Sequence, residues 1–317
     1  MAMNTERKII AIGRSRYLYD SIRHLAAKGY SFAAIVTEKA YEEYDIKDTD
    51  FEALAAEIGS AFFRLSNVNT AELTDLVKAE KIRAAISVNW KYTLPKEFLD
   101  LFECGVLNYH LGNLPDYKGN ATINWTIING LHYVNGNVHK MDPKLDAGDI
   151  VARRSVSIGP DDYVADVLKK AEQDTPALYE QALEKVWNDP EYYEVKGSEK
   201  GSRCYPRLPE DSQIVWDKSA VDIARLVRAS SRPYKGAYSY LNGEKVTIWR
   251  AKPYFPEEEF FAIPGHVVGV AKDTGHILVA CAQGMLEIEE IEYKGEVNMP
   301  AANIKSIRVR FKYNDNG

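Results

Sequence analysis

Three polar side chains within residues 106–150 are of the types that can move an acyl group onto an amine. Asn108 and His110 are two residues apart in the apolar run VLNYH, which predicts a buried strand. Alternate residues of a strand project from one face, so these two side chains should share a face at a backbone spacing of about 6–7 Å. Asp146 follows in the glycine-containing loop KLDAGD, ahead of a second strand-like run, IVARRSVSI. We expect one amide, one imidazole and one carboxylate to meet at a single site.

Transfer of a carbonyl group to an amine is the chemistry that suits this set. The oxyanion of a tetrahedral intermediate needs a donor, which the amide of Asn108 or a protonated His110 can supply, and losing one such donor typically costs about 10²–10³ in rate. An imidazole can carry protons in both directions, and a nearby carboxylate orients it. By residue type alone, an Asn-x-His pair on a strand is also compatible with a hydrogen-bonded core pair.

The motif resembles that of the formyltransferase family that uses 10-formyltetrahydrofolate, whose members carry Asn-x-His, Leu-Pro, Tyr/Arg-Gly and Asp-x-Gly on a Rossmann-like domain. The positions that match by type are Asn108, His110 and Asp146. Leu-Pro at residues 114–115 and Tyr-Lys-Gly at residues 117–119 fill the interval. The resemblance covers most of the chain, and it implies an enzyme with N10-formyltetrahydrofolate as co-substrate.

One position departs from the family pattern. Many members carry Ser two residues after the histidine, where this chain has Gly112. Any contact made by that serine is absent here, or is replaced by one from Asn113 or Asn120.

The resemblance also implies where the folate binds. In the family, the turn after the fourth strand holds the pterin through backbone groups, and the matching positions are Trp90, Lys91 and Tyr92. Asp142 and Leu145 are expected to add contacts from the segment before the catalytic aspartate. The alternative for Trp90 is ordinary packing against the helix that follows.

Four side chains are expected to contact the amine substrate. Arg14 lies in the turn after the first predicted strand, where a cation can meet a phosphate, with a solvated turn as the alternative. Asn120 lies just before the predicted helix ATINWTIING, and Asn124 and Trp125 lie on it. No set of residues predicts a metal site.

Other acids and histidines compete for the catalytic roles. Asp142 and Asp149 are rivals for the carboxylate, but the family pattern favours Asp146, which leaves Asp149 to brace the loop. His132 and His139 are interpreted as structural.

The elements that must hold this site predict an α/β fold with a Rossmann-like N-terminal formyltransferase domain. A strand over Lys8–Ile12, a helix over Tyr17–Lys28 and a strand over Phe32–Thr37 give a βαβ opening. Its turn carries Gly13 but not the G-x-G-x-x-G fingerprint, which disfavours a dehydrogenase. Asp161–Trp187 predicts a long helix.

A second domain follows a stretch rich in Gly, Ser and Pro at Tyr192–Ser212, which is typical of an interdomain linker. Five strand-like runs come next, and Asn242-Gly243 predicts a tight hairpin between the first two. This pattern indicates a small OB-like β-barrel. We therefore divide the chain into residues 1–200 and 201–317.

Composition is ordinary for a globular enzyme: 317 residues, 45% hydrophobic and 27% charged. No apolar run approaches the roughly 18–20 residues that span a membrane, and the N-terminus lacks the apolar core of a secretory signal. Three widely spaced cysteines fit neither a disulfide framework nor a zinc site, so a cytoplasmic location is expected. A formal charge of -6 disfavours a large phosphate-binding surface.

Two branches of the family differ in the amine that receives the formyl group. The methionyl-tRNA formyltransferases carry a basic loop after the second strand, whereas residues 38–57 here are acidic, with interleaved tyrosines. Like charges repel a phosphate-rich partner, so tRNA is disfavoured. This segment, LPEDSQIVW and SRPYKGAYSYLNG are similar to N-formyltransferases that act on nucleotide-linked amino sugars, with Arg14, Arg232 or Lys235 as candidates to hold a diphosphate.

Two alternatives stay open at this point: a methionyl-tRNA formyltransferase, and a folate- or nucleotide-binding module without catalysis. A homodimer is compatible with the sequence, and no membrane partner is expected.

Overall fold

The computed structural model describes residues 7–40 and 44–313. Residues 1–6, where no secretory signal is expected, and residues 41–43 of the acidic segment lie outside the described residues. Two compact units make up the fold, and neither is one continuous stretch of chain. The first contains Met1–Gly119, Val134–Val156 and Lys169–Cys204, and the second contains Asn120–Tyr133, Ser157–Leu168 and Tyr205–Gly317. The division predicted at residue 200 stays a prediction.

The helices and strands alternate through the first unit, and strands dominate the second. In chain order they are β1 (Lys8–Gly13), α1 (Arg16–Ala27), β2 (Ser31–Thr37), α2 (Asp48–Ile58), β3 (Ala61–Arg64), α3 (Ala71–Ala79), β4 (Ala84–Val88), α4 (Lys96–Leu99), β5 (Gly105–Leu111), β6 (Lys118–Gly119), α5 (Thr122–Ile128), β7 (Tyr133–Lys140), β8 (Ile150–Ser157), α6 (Val164–Asn188), β9 (Arg203–Cys204), α7 (Ala220–Ser230), β10 (Ala237–Leu241), β11 (Glu244–Tyr254), β12 (Val267–Val270), β13 (Ile277–Ala280), β14 (Met285–Tyr293) and β15 (Glu296–Asn298).

The main sheet of the first unit has seven strands in the order β3-β2-β1-β4-β5-β7-β8. Its first five strands pair in parallel, whereas β7 runs antiparallel to β5. Alternate residues of β1 enter different cores, because Ile9 packs in one buried cluster and Ile10 in another. The sheet is therefore covered on both faces, and the predicted Rossmann-like α/β fold is confirmed.

Strand β5 shows the same alternation. Leu107 and Tyr109 belong to one buried cluster, and Val106 belongs to the other. Asn108 and His110 consequently project from the same face as Val106. This is the predicted arrangement of the two side chains.

The second unit contains an antiparallel sheet in the order β10-β11-β14-β13-β12, with β15 paired to β14. Arg310 bridges to His266 just before β12, and Lys312 bridges to Tyr240 in β10. The short segment 310–312 thus joins the two edges, which closes the sheet as in a small barrel. The hairpin between β10 and β11 turns at Asn242 and Gly243, whose φ angles are 52° and 81°, so the predicted Asn-Gly turn is confirmed.

The linker expected over Tyr192–Ser212 stays a prediction, and the boundary between the two units at residues 204–205 lies within it. Residues 195–204 pack against two loops of the first unit. Gly197 and Gly201 permit a close approach of backbones: a Cβ at these positions would lie 2.2 Å from the oxygen of Ala147 and 2.0 Å from that of Pro115. The glycine content of this stretch is typical of a flexible linker, but these two glycines allow tight backbone packing instead.

No helix within residues 7–40 or 44–313 combines the length and the apolar character that crossing a membrane requires.

Candidate functional site

The structure brings His110 and Asp146 together at the end of β5. Nδ1 of His110 lies 3.5 Å from Oδ2 of Asp146, and the backbone N–H of Gly119 donates to the same oxygen at 2.8 Å. Both side chains are largely shielded, with 8% of the imidazole and 13% of the carboxylate exposed. A carboxylate with one fixed donor and a nearby imidazole can orient the ring and balance its charge when it takes a proton.

The His110 ring is held by a backbone carbonyl on its other side. Its Nε2 is 2.8 Å from the oxygen of Tyr117, which can only accept, so Nε2 carries a hydrogen. Nδ1 is then the nitrogen that can exchange a proton.

Gly112 explains the departure from the family pattern. A Cβ at this position would lie 2.5 Å from Nε2 of His110 and 2.6 Å from the oxygen of Tyr117. No serine side chain fits beside the imidazole in this arrangement. Neither Asn113 nor Asn120 takes the place of the family's serine. The side-chain oxygen of Asn113 accepts from the backbone N–H of Asn135, and Asn120 is exposed.

His139 is the site residue that sequence reasoning missed. Nδ2 of Asn108 lies 3.1 Å from Nε2 of His139, and the same nitrogen of His139 lies 3.7 Å from Oδ1 of Asp146. His139 therefore lies between the amide of Asn108 and the carboxylate of Asp146, instead of serving only the core. Strand pairing places it there, because Asn108 and His139 are direct partners across β5 and β7.

The environment of His139 fixes its protonation. Burial lowers its pKa to about 4, with the negative Asp146 opposing and His110 adding to the shift. Its Nδ1 lies 3.0 Å from the oxygen of Lys140, so Nδ1 carries the hydrogen of the neutral ring. Nε2 is then an acceptor and takes one N–H of Asn108. The second N–H of that amide is left for another acceptor.

The loop that carries Asp146 is tightly built. Asp146 adopts a left-handed conformation with φ 45°, which a non-glycine residue adopts rarely. Gly148 allows the loop to close, since a Cβ there would lie 1.8 Å from the oxygen of Lys140. Asp149 accepts from Lys196 and from the N–H of Gly197, each at 2.7 Å, in agreement with the bracing role predicted for it.

Asn137 and Arg153 hold the chain that leaves β5. The amide nitrogen of Asn137 donates to the carbonyls of His110 and Gly112 at 3.1 and 2.6 Å. Arg153 donates to the side-chain oxygen of Asn137 at 2.8 Å and to the carbonyl of Leu114 at 2.7 Å. These two side chains thus satisfy the carbonyls of this loop, and no sequence motif predicted them.

The predicted folate residues follow β4, next to the end of β5. The rings of Trp90 and Tyr92 are 5.9 Å apart at 68°, and the hydroxyl of Tyr92 donates to Glu38 at 2.8 Å. Lys91 is exposed, with its ammonium 5.3 Å from the Tyr92 ring centroid. Within the described residues, the buried Nε1 of Trp90 has no hydrogen-bond acceptor, which leaves a donor for a ligand.

Asp142 and Leu145 are both exposed, and the Asp142 carboxylate accepts from the N–H of Lys144 at 2.9 Å. The neighbouring Met141 packs against the same buried cluster as Trp90. The two loops that carry the predicted folate residues therefore border the same face of the sheet, from which Asn108 and His110 project.

Arg14 is 5% exposed. It donates to the carbonyl of Asn89 at 3.1 Å, and its guanidinium lies 3.6 Å from Glu38. Arg14 thus ties the turn after β1 to the turn after β4, and its contact with substrate stays a prediction.

The other predicted substrate residues belong to the second unit. Asn124 is buried and donates to the carbonyl of Ala229 at 2.7 Å, and Trp125 donates to the carbonyl of Tyr205 at 3.0 Å. Through these hydrogen bonds both side chains stabilise the second unit, whereas Asn120 is exposed. A substrate contact for these three residues stays a prediction.

A cluster of His276, Glu287 and Glu289 in the second unit has the ligand types for a metal ion. The ammonium of Lys252 lies 3.4 Å from Glu287 and 3.0 Å from Glu289. A lysine that already neutralises these carboxylates competes with a metal cation, so the cluster is better described as an ion-pair network.

Surface cavities of about 470, 300 and 410 Å³ lie in the second unit. Their walls do not include Asn108, His110 or Asp146. The chemistry of the side chains, and not the volume of a cavity, therefore identifies the candidate site.

Solved structures with this fold span several activities. The chain is similar to HypX from Aquifex aeolicus in complex with tetrahydrofolic acid, at 16% identity and a TM-score of 0.60 over 93% of this chain and 46% of that one. It therefore spans about half the length of HypX. An N-formyltransferase from Helicobacter canadensis in complex with folinic acid and dTDP-3-aminofucose is similar at 16% identity and a TM-score of 0.63, over 90% of this chain and 99% of that one.

A methionyl-tRNA formyltransferase from Clostridium thermocellum is also similar, at 16% identity and a TM-score of 0.54, over 81% of this chain and 97% of that one. At these identities the structures establish the fold alone.

Family models decide the assignment. Residues 7–183 match the formyl transferase family, and residues 208–308 match the formyl transferase C-terminal domain. The first match alone covers more than half of the chain and includes Asn108, His110, His139 and Asp146. The chain belongs to the formyl transferase family.

Proposed function

We propose that this protein transfers a formyl group from N10-formyltetrahydrofolate to the amine of a nucleotide-linked amino sugar. The observation that carries the proposal is the cluster of Asn108, His139, Asp146 and His110 on a formyl transferase fold, in which successive side chains lie 3.1, 3.7 and 3.5 Å apart.

The geometry suggests a role for each group. The amine nitrogen attacks the formyl carbon, and the free N–H of Asn108 stabilises the oxyanion that forms. Nδ1 of His110 takes the proton that the amine loses and returns it to N10 as the bond between N10 and the formyl carbon breaks. Asp146 balances the positive charge that the imidazole carries between these two steps.

Folate is proposed to lie along the loops after β4 and β7. The unpaired Nε1 of Trp90 supplies a buried donor, and the Trp90 and Tyr92 rings supply a wall for a flat heterocycle. Asp142 and Leu145 border the same face from the loop that leads to Asp146. The complexes of HypX with tetrahydrofolic acid and of the Helicobacter canadensis enzyme with folinic acid support the same co-substrate.

A nucleotide-linked amino sugar is the amine that the sequence and the comparisons favour. The acidic segment after β2 opposes a nucleic acid, and the Helicobacter canadensis structure contains dTDP-3-aminofucose. A methionyl-tRNA formyltransferase shares the fold and is the alternative. The location in the cytoplasm and a homodimer stay predictions.

The test is a scan of amino-sugar nucleotides with N10-formyltetrahydrofolate, followed by mass spectrometry for the gain of one formyl group. His110→Ala should lower kcat by roughly 10²–10³ and leave folate binding in place. His132→Ala is the matched control, because His132 is exposed and in the second unit. Undiminished turnover of His110→Ala contradicts the mechanism, and formylation of methionyl-tRNA with no sugar product contradicts the substrate.

A further inference from the structure

Residues 195–204, here called the strap, contact both loops that complete the candidate site. One loop, residues 115–119, provides the Tyr117 carbonyl to His110 and the Gly119 N–H to Asp146. The other loop, residues 142–149, carries Asp146 itself. All of these residues belong to the first unit.

The first half of the strap is fixed to the loop of Asp146. Val195 pairs with Ile150 in an isolated antiparallel bridge. Lys196 and the N–H of Gly197 both donate to Asp149 at 2.7 Å, and Lys144 pairs with Glu199. Burial alone would raise the pKa of Asp149, but the donors from Lys196 and Gly197 outweigh it and lower that pKa.

The second half of the strap is fixed to residues 115–119. The hydroxyl of Ser202 accepts from the N–H of Tyr117 at 3.1 Å, and the N–H of Ser202 donates to Asp116 at 2.8 Å. Strands β6 and β9 then pair in parallel, which brings Gly119 opposite Cys204. The backbone atoms that hold His110 and Asp146 are therefore themselves held by the strap.

Lys118 is the side chain at the centre of these contacts. It is 5% exposed, and its ammonium donates to the carbonyls of Ser198 and Lys200 at 2.5 and 3.1 Å. Burying an ammonium group raises the free energy of the fold unless its N–H groups are hydrogen-bonded. The Lys118 side chain therefore holds the middle of the strap against residues 115–119.

We propose that Lys118 is a positioning residue for formyl transfer, and that it acts by keeping the strap closed over both loops. Its neighbours Tyr117 and Gly119 contact His110 and Asp146, whereas Lys118 itself touches neither. The strap thereby sets the distance between the imidazole and the carboxylate. This inference rests on the proposed function for its kinetic consequence, but not for its structural one.

The structural consequence is tested by hydrogen–deuterium exchange on the full chain. Lys118→Met removes the ammonium and keeps the length of the side chain. We expect faster amide exchange in residues 195–204 and also in residues 142–149, which Lys118 does not touch. Lys200→Met is the matched control, because Lys200 lies in the strap with an exposed side chain, and it should exchange as the wild type does. Unchanged exchange at residues 142–149 in Lys118→Met overturns the proposal.

The kinetic consequence separates positioning from a general loss of folded protein. Lys118→Met should lower kcat roughly 10- to 100-fold, since small displacements of reacting groups have effects of this size, with the KM for folate changed less than about twofold. Lys118→Arg should recover part of the kcat. A rise in KM with kcat unchanged contradicts a positioning role.

Ser202→Ala is the second variant, in case Lys118→Met does not fold. It removes only the hydroxyl that accepts from Tyr117, and the same increase of exchange at residues 142–149 is expected. If exchange changes as expected but the wild type formylates no substrate, the proposed function is wrong, and the structural role of the strap is supported. If the wild type is active and exchange is unchanged, the proposed function is supported, and the role of the strap is wrong.

Discussion

At the scale of single residues, hydrogen bonds to His139 determine how the amide of Asn108 is oriented. Because Nδ1 of His139 faces a carbonyl, its Nε2 must accept, and this orients the amide of Asn108 with its nitrogen toward His139. The side-chain oxygen of Asn108 is thereby turned away from His139. A residue that is not itself expected to touch substrate therefore orients the Asn108 amide, which we propose faces the formyl oxygen.

A pH dependence of stability follows from His139. In an unfolded chain its pKa is near 6.5, whereas burial lowers it to about 4 in the fold. Between these values the unfolded chain binds more protons, so stability is complete above about pH 6.5 and falls as the pH drops toward 4. The contribution of this group is on the order of 3 kcal/mol.

Urea unfolding of the wild type and of His139→Gln at about pH 7, 6 and 5 measures this contribution. The variant should lose less stability than the wild type as the pH falls, because it lacks the titrating ring. His132→Gln changes an exposed histidine, and its free energy of unfolding should depend on pH as that of the wild type does. The same pH dependence in all three proteins would show that His139 is not held neutral.

A methyl group at Gly112 should displace the His110 ring. The Cβ would meet Nε2 of His110 and the Tyr117 carbonyl at 2.5 and 2.6 Å, so both cannot keep their places. We expect Gly112→Ala to lower kcat by about 10²-fold, with folate binding unaffected. Full activity of Gly112→Ala in a steady-state assay would mean that the ring can work from another position.

At the scale of elements, local signals predicted what depends on neighbours in sequence. The alternation around Asn108 and His110 and the Asn-Gly turn needed only a few consecutive residues, and both occur as expected. His139 could not be identified in this way, because its position depends on the antiparallel register of β5 and β7. That register cannot be predicted from the sequence of either strand alone. The close packing of residues 195–204 could not be predicted for a related reason, because glycine is typical of both flexible linkers and close backbone contacts.

The loop after β4 offers a test of the folate site. Trp90→Phe keeps an aromatic ring but removes the buried Nε1 hydrogen, whose acceptor we propose to be the folate. We expect the KM for N10-formyltetrahydrofolate to rise roughly 5- to 10-fold, as for a lost hydrogen bond of about 1 kcal/mol, with a smaller change in kcat. Tyr92→Phe, which removes the bond to Glu38, serves as the comparison and should have little effect on KM. Similar KM values for wild type and Trp90→Phe would remove Nε1 from the site.

At the scale of the whole molecule, charge and fold bear on the choice of amine. The formal charge is -6, and the acidic segment after β2 adds local repulsion toward phosphate backbones. In a band-shift assay at about 50 mM salt, we expect no stable complex with tRNA, because binding to nucleic acid depends on clusters of positive charge that neutralise phosphates. A saturable complex that weakens steeply as salt is raised would favour the methionyl-tRNA alternative.

The bridges made by residues 310–312 have a consequence for self-association. Without them, the N–H and carbonyl of Tyr240 in β10 and the carbonyl of Gly265 before β12 would lose their backbone partners, and unsatisfied groups at a sheet edge recruit strands from other molecules. A protein shortened before Arg310 should therefore form intermolecular β-structure and precipitate at concentrations where the intact chain stays dispersed. We therefore expect those three residues to help protect the edges of the barrel from aggregation.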